Sequence, residues 1–196
     1  MKKFLVFLAM LAVSFILFSM DQGNKSINNN AGSLPEVKED VLTPSQNTTE
    51  NKININLVKG KVERVVDGDT AIINIDGKSH RVRFIGVNTP ESTTRIEEYG
   101  KEASNFTKKY LTGKEVYLEK DVSQTDKYDR LLRYIWLENP DNLSLEEIES
   151  KMFNAILLKE GYAQVATFPP DVKYVEKFKI IQRKAREQNL GLWQKK

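Results

Sequence analysis

Residues 65–87 read VVDGDTAIINIDGKSHRVRFIGV, and this stretch indicates the fold more directly than any other part of the chain. Two β-forming segments, Thr70 to Ile75 and Ser79 to Val87, flank the Asp76-Gly77 pair, which is a strong hairpin signal. Alternating apolar residues continue upstream of Asp67 as a further strand. The stretch therefore predicts three consecutive antiparallel strands.

Outward from this meander, residues 115–121 and 131–137 have the pattern of two more strands. Helical spacing predicts three helices, at about 99–111, 152–160 and 172–188. In the last of these, the apolar positions predicted to be core are Tyr174, Phe178, Ile181 and Ala185. Five short strands, with one helix after the third and two closing helices, predict an α+β, mainly β fold. The best match is an OB-fold, a five-stranded Greek-key barrel with three helices.

Composition excludes several kinds of chemistry. The chain has 196 residues, a net charge of +3 and no cysteine, so disulfides, thiol catalysis and cysteine metal sites are excluded.

Positive charge gathers at the C-terminal end, where residues 172–196 hold eight Lys or Arg against two Asp or Glu. A basic helix face fits a polyanionic partner. A solvated helix face explains the same charges equally well.

The N-terminus predicts export. Lys2 and Lys3 precede an apolar run over residues 4–18, which is the arrangement of a signal peptide. The run also approaches the roughly 20 residues that a membrane-spanning helix needs. We interpret residues 1–20 as a signal peptide or an N-terminal membrane anchor. The expected location is extracellular, either secreted or anchored to the outer face of the cell membrane.

Composition also predicts the domain boundaries. Residues 21–51 are rich in Asn, Ser and Thr and contain no aromatic residue. Such a segment buries too little apolar surface to offset its ordering entropy, so it is expected to be a flexible polar linker. Residues 52–196 are then the folded domain.

Three segments carry side chains suited to phosphate chemistry: Asp67-Gly68-Asp69-Thr70, residues 83–91 and residues 126–130. Carboxylates two residues apart at a strand junction offer the hard oxygen ligands of Ca²⁺ or Mg²⁺. Arginine, lysine and an aromatic ring can hold phosphates and stack a base. Taken one at a time, each segment also has an ordinary interpretation, as a structural turn, a surface arginine or a solvated loop.

Together the segments resemble the thermonuclease family, of the staphylococcal nuclease type. The similarity is collinear from Val65 to Trp193. The motifs that carry it are Val66-Asp67-Gly68-Asp69-Thr70, Thr89-Pro90-Glu91, Tyr99-Gly100-Lys101-Glu102-Ala103-Ser104, Asp126-Lys127-Tyr128, Lys151-Met152 with Asn154, and Leu192-Trp193.

The resemblance implies a calcium-dependent endonuclease that hydrolyses DNA and RNA and leaves 3′-phosphate products. In this family two arginines hold the scissile phosphate, and Arg83 and Arg130 match them. Glu91 matches the general base that acts on water. Phosphodiester attack builds negative charge on the phosphoryl oxygens, which explains why such a site needs preorganised cations.

The same resemblance implies the remaining site residues. Asp69, Asn88 and Thr89 match the Ca²⁺ ligands, the last through its backbone carbonyl. Lys127 and Tyr128 match residues that bind the substrate near its terminal phosphate. The family pattern also suggests a monomer.

Two positions depart from the family pattern. Asn88 stands where well-known members have aspartate, so one negative charge is missing and weaker calcium binding is expected. Asp129 replaces a glycine, and a small effect is expected because aspartate tolerates left-handed backbone geometry. His80, the only histidine, is interpreted as structural, and Asp67 as shaping the turn rather than binding metal directly.

Two other classes of function compete with an enzyme. Domains of this fold also serve as non-catalytic nucleic-acid-binding modules, here one exported to the cell surface. A surface-attachment domain is the third class. Retention of Arg83, Glu91 and Arg130 together favours the nuclease, because neither rival needs that triad.

Overall fold

The computed structural model describes residue 53 and residues 55–195 of the chain. The predicted meander consists of β1 (Leu57–Asp67), β2 (Thr70–Ile75) and β3 (Lys78–Phe84). Asp76 and Gly77 both have positive φ, 49° and 81°, which is the backbone of a tight two-residue hairpin turn. The alternation of Ile53, Ile55 and Leu57 with asparagines predicts a start of the first strand near Ile53, but the strand begins at Leu57.

Two further strands, β5 (Glu115–Glu119) and β6 (Leu131–Trp136), close the sheet into a barrel in the order β1-β2-β3-β6-β5. The β5 strand pairs with β1, so the barrel has no open edge. All neighbours are antiparallel except β3 and β6, which run parallel. The predicted five-stranded OB-fold barrel is confirmed.

The predicted third strand is shorter than expected. It ends at Phe84, and Gly86 then takes a φ of 77°. A short strand, β4 (Val87–Asn88), leaves the barrel and pairs with β7 (Gln164–Val165). This turn away from the barrel carries the following residues into the cleft described below.

The described residues form four α-helices rather than the predicted three: α1 (Gly100–Leu111), α2 (Leu145–Lys151), α3 (Phe153–Lys159) and α4 (Val175–Glu187). The missed helix, α2, is capped by Ser144, whose hydroxyl accepts from the N–H of Glu147. Met152 has extended backbone, φ −91° and ψ 116°, which separates α2 from α3. A 3₁₀ turn, Gly191–Trp193, follows α4.

The core fills the barrel and extends beneath α3 and α4. The four core positions predicted in α4 are all buried: Tyr174, Phe178, Ile181 and Ala185. A Cβ at Gly86 would lie 2.7 Å from the Phe178 ring, so α4 packs directly on the chain where it leaves the barrel. The same helix therefore stabilises the barrel and the segment that leads to the cleft.

Among the described residues, no helix is long and apolar enough to span a bilayer. The predicted signal peptide or anchor, residues 1–20, lies outside the described residues. So does the predicted linker, residues 21–51.

Candidate active site

A cleft of about 800 Å³ opens where the β1–β2 turn, β3, the segment after β4 and the β5–β6 loop meet. It brings together all eight residues predicted for the site. They are Asp69, Arg83, Asn88, Thr89, Glu91, Lys127, Tyr128 and Arg130. His80 does not line the cleft, in agreement with its structural interpretation.

Arg83 is held from two sides. Its Nη1 donates to the carbonyls of Phe84 (2.9 Å) and Val87 (2.8 Å). Its Nη2 lies 2.9 Å from Asp69 Oδ2 and 3.1 Å from Asn88 Oδ1. Burial lowers the pKa of Arg83 while the Asp69 carboxylate raises it, and a guanidinium stays protonated in proteins. The result is a fixed positive charge on the wall of the cleft.

Asp69 is buried and ties the β1–β2 turn to the segment after β4. Its Oδ2 accepts from the N–H of Thr89 at 3.0 Å, and its Oδ1 accepts from Thr70 Oγ1 at 3.0 Å. Gly68 allows this approach, because a Cβ there would lie 2.6 Å from Thr89 Oγ1. The turn and the Thr89 backbone are thereby held together.

Asp67, interpreted as shaping the turn, does so. Its Oδ1 accepts from the N–H of Gly68 at 2.8 Å and from Ser92 Oγ at 2.6 Å. Burial raises the pKa of Asp67, although the bonds from Ser92 and Gly68 lower it and the charges of Asp69 and Glu91 raise it further. Oδ1 is thus held by two hydrogen bonds within the protein, and the Asp67 side chain also acts on Glu91.

Oxygen donors for a cation lie on the same wall. Asp69 Oδ2 and Asn88 Oδ1 converge on one atom, Arg83 Nη2, so both reach a common point. Among residues 55–195, Thr89 Oγ1 is buried without a hydrogen-bond partner. No group of three or more His, Cys, Asp or Glu in that range is placed to hold a metal. A cation here would therefore depend on the Asn88 amide and the Thr89 carbonyl as well as Asp69. Such a hard, mixed oxygen set fits Ca²⁺.

Glu91 is oriented by the loop that follows it. Its Oε1 accepts from the N–H of Thr93 at 2.8 Å and also from the Thr93 hydroxyl. These bonds lower the pKa of Glu91, so the carboxylate is ionised near neutral pH. Its backbone is fixed by Glu97, which accepts from the Glu91 N–H at 3.1 Å and donates its own N–H to the Glu91 carbonyl at 2.8 Å.

Arg130 is positioned by Asp126, which sequence analysis did not include in the site. Asp126 Oδ2 accepts from Arg130 Nε at 2.7 Å and lies 2.6 Å from its Nη2. Asp126 Oδ1 accepts from the N–H groups of Tyr128 (2.9 Å) and Arg130 (3.1 Å). Asp129 has a φ of 59°, the left-handed geometry expected for the position where the family has glycine. A short acidic residue at the start of a tight loop was the available signal for Asp126.

Two aromatic rings face solvent at the cleft. Tyr128 is 66% exposed, with the Lys127 ammonium 5.0 Å and the Arg130 guanidinium 5.4 Å from its ring centre. Phe168 is 70% exposed and also lines the cleft. Sequence analysis did not assign Phe168, because residues 165–170 depart from the tyrosines that the family has in this stretch.

The cleft therefore combines two fixed guanidinium groups, an ionised carboxylate, a set of hard oxygen donors and exposed aromatic surface. Arg83 and Arg130 line the same cleft, and the charge of Arg130 lowers the pKa of Arg83. Paired cations of this kind can offset charge that develops on a phosphoryl group. An ionised carboxylate can accept a proton from water.

Comparison with known proteins gives consistent matches. The family model described as "Staphylococcal nuclease homologue" matches residues 81–195. A protein named "Thermonuclease" from Staphylococcus intermedius is 44% identical over 137 residues, which is 68% of this chain and 75% of that protein. "Thermonuclease" from Staphylococcus hyicus is 41% identical over 143 residues, covering 71% of this chain and 78% of that protein. "Endonuclease YncB" from Bacillus subtilis is 29% identical over 208 residues, covering 100% of this chain and 93% of that protein.

Proposed function

The chain belongs to the staphylococcal nuclease family, and from that premise we propose that it is a calcium-dependent endonuclease. Its proposed substrates are DNA and RNA, and its proposed products carry 3′-phosphates. The observation that carries the proposal is the cleft in which Arg83 and Arg130 act on the same region as the ionised Glu91.

In the proposed reaction, Arg83 and Arg130 bind the scissile phosphate. A guanidinium presents paired N–H donors that suit two phosphoryl oxygens better than a lysine point charge does. Hydrogen bonds already hold each arginine in place. Little reorganisation is therefore needed when negative charge develops on the phosphoryl oxygens. These two residues therefore supply much of the stabilisation of the transition state.

Glu91 accepts a proton from the attacking water, whose oxygen bonds to phosphorus while the P–O5′ bond breaks. The departing 5′-oxygen takes up a proton from solvent. The Oε1 of Glu91 is held by the N–H and the hydroxyl of Thr93, and the Thr94 N–H and the Asp67 side chain also act on the carboxylate. We assign the proton to Oε2. General-base catalysis contributes about 10²–10⁴-fold, whereas enzymes accelerate their reactions by about 10⁶-fold or more. The base is thus necessary to the proposed mechanism but is not its largest part.

Asp69, Asn88 and the Thr89 carbonyl are the proposed ligands of Ca²⁺. A bound divalent cation supplies Lewis-acid polarisation of a phosphoryl oxygen. Lys127 and Tyr128 are proposed to bind the nucleotide near its terminal phosphate, with the exposed Tyr128 ring available to a base.

We also propose that the protein is exported, with residues 1–20 cleaved or retained as a membrane tether, and that it acts as a monomer. Fractionation of cells that produce the full chain, with size-exclusion chromatography of the released protein, tests both points. Recovery in the cytoplasm, or elution as a stable dimer, would contradict them.

One assay separates the nuclease from a non-catalytic nucleic-acid-binding module and from an attachment domain. The full chain is incubated with single-stranded DNA, and separately with RNA, in millimolar calcium and in excess chelator. We expect cleavage of both substrates in calcium and none in chelator. Binding without cleavage would support the nucleic-acid-binding module. The absence of both binding and cleavage would favour the attachment domain.

A further inference from the structure

The outer face of the β1–β2–β3 meander continues directly from the cleft. In the sheet register, Thr70 pairs with Arg83 and Ile72 pairs with Arg81. Residues two apart on a strand point to the same side, about 7 Å from each other. Arg81 and Arg83 therefore lie on the same face, and Arg81 also lines the cleft. On β1, Arg64 pairs with Ile72 and so lies on the same face. Arg83, Arg81 and Arg64 together form a row of arginines that begins at the cleft.

The two additional arginines differ from Arg83 in their surroundings. Arg83 is half-buried and ion-paired to Asp69, whereas Arg81 and Arg64 are exposed. Among residues 55–195, no ion pair includes either of them. A solvated arginine next to a phosphate clamp can bind a further phosphate without first losing a carboxylate partner.

The row ends at Glu63. Its carboxylate accepts from Asn74 Nδ2 at 3.0 Å and from Ser79 Oγ at 2.8 and 2.9 Å, farther along the same face. A negative group there opposes extension of a polyanion beyond Arg64. Half-buried Ile72 lies between Arg81 and Arg64 in the register and offers apolar surface to a sugar or base.

We propose that Arg81, assisted by Ile72 and Arg64, binds the phosphate adjacent to the scissile one on a single nucleic acid strand. This inference rests on the proposed nuclease function. Grooves that bind single strands combine cations that follow the backbone with surfaces that contact bases. The spacing of Arg83 and Arg81 along β3 can be bridged by consecutive phosphates of an extended strand. The enzyme then favours longer single strands over substrates with one phosphodiester bond.

The test compares Arg81→Gln with Arg183→Gln, which removes the same charge from an exposed position on α4. Two substrates are used in calcium: thymidine dinucleoside monophosphate, with one phosphodiester bond, and single-stranded dT12. We expect Arg81→Gln to lower kcat/KM on dT12 by about five- to tenfold, through KM, since one charged phosphate contact is lost. Its activity on the dinucleoside should stay within about twofold of wild type, as should both activities of Arg183→Gln.

Binding supplies a readout that needs no catalysis. The Kd of fluorescent dT12 is measured in chelator at several salt concentrations. Arg81→Gln should flatten the dependence of log Kd on log salt by about 0.7, the value for one phosphate of a single strand. Arg183→Gln should leave the slope unchanged.

Several results would overturn the second phosphate site. They are an unchanged slope in Arg81→Gln, an equal effect of Arg183→Gln, an equal loss on both substrates, or no dT12 binding by the wild type. If the wild type binds dT12 but cleaves neither substrate, the proposed nuclease function fails. The salt slope still decides the role of Arg81 in that case.

Discussion

At the scale of single residues, the chemistry of the cleft depends on how each charge is held. Arg83 is fixed by two backbone carbonyls and by the side chains of Asp69 and Asn88. Arg130 is fixed by Asp126. The carboxylates near the proposed metal ligands are committed as well, with Asp67 bonded to Ser92. Asn88 also bonds to Arg83 through Oδ1, but its residue is exposed and carries no charge although it lies at the proposed cation site.

Replacing Asn88 with aspartate should strengthen calcium binding. The wild type is expected to need about 10⁻⁴–10⁻³ M calcium for half-maximal cleavage, the range of weak extracellular sites. Asn88→Asp adds a negative charge to the ligand set and should lower that concentration about tenfold, on the order of 1.4 kcal/mol. Cleavage rates across a calcium titration measure the shift.

Asn105→Asp is the matched control, since it adds the same charge on an exposed face of α1. It should leave the calcium dependence unchanged. Saturation of the wild type at micromolar calcium would be inconsistent with a weakened site.

At the scale of elements, the loop that carries Glu91 is held against the start of α1. A Cβ added at Gly100 would collide with the carbonyl oxygen of Glu91, so the helix and the loop are in direct backbone contact. Glu97 makes two hydrogen bonds to the Glu91 backbone, one through its side chain and one through its own N–H. The position of the proposed base is therefore set by how α1 begins.

Gly100→Ala should displace this loop. We expect a loss of about 1–3 kcal/mol in the free energy of unfolding, as for other overpacked sites. The kcat should fall by up to about 10²-fold, because small misplacements of reacting groups are costly. Urea unfolding and steady-state kinetics measure the two effects.

Ser104→Ala serves as the control in the same helix. Within the described residues its buried hydroxyl has no hydrogen-bond partner, so its removal should be nearly neutral. A Gly100→Ala enzyme that loses stability but keeps the wild-type kcat would show that α1 does not position Glu91.

Most elements were predictable from local patterns. The β2 strand has its predicted bounds, because it is rich in β-branched residues and Asp76-Gly77 defines its end. The α2 helix was missed because it is short and mainly polar and is split from α3 at Met152, which bridges to Trp136. That break depends on a tertiary contact and has no local signal.

The residues of the site were also predictable from the sequence, but not all of their roles were. These residues stand in motifs that resemble those of the thermonuclease family, so all eight could be named before their geometry was known. The roles of Asp126 and Arg81 depend on a loop closing on itself and on strand register, respectively. Neither relation appears in residue spacing alone.

At the scale of the whole molecule, one buried amide connects the helices to both the barrel and the cleft. Asn154, in α3, donates to the carbonyl of Ile85 and accepts from the N–H of Ile135, each at 2.8 Å. Ile85 follows β3 on the way to the cleft, and Ile135 lies in β6.

Two lysines on the basic face of α4 are paired within the protein, Lys179 with Glu176 and Lys184 with Glu149. These ion pairs favour the solvated interpretation of that basic face.

Asn154→Ala should destabilise the fold strongly. It leaves a buried carbonyl and a buried N–H unpaired, each costing about 1–3 kcal/mol, so a total loss of about 2–6 kcal/mol is expected. Urea unfolding measures the change, with exposed Asn105→Ala as control. A loss below about 1 kcal/mol would show that water or neighbouring groups replace both bonds.

Glu91 is proposed to act as the base in a cleft whose arginines bind the phosphate. Single-turnover cleavage of labelled dT12 by excess enzyme, in saturating calcium, tests it most directly for wild type and Glu91→Gln. We predict a rate constant about 10²–10⁴-fold lower for the variant, with an unchanged Kd for dT12. A variant that cleaves within about threefold of the wild-type rate would contradict the assignment of Glu91 as the base.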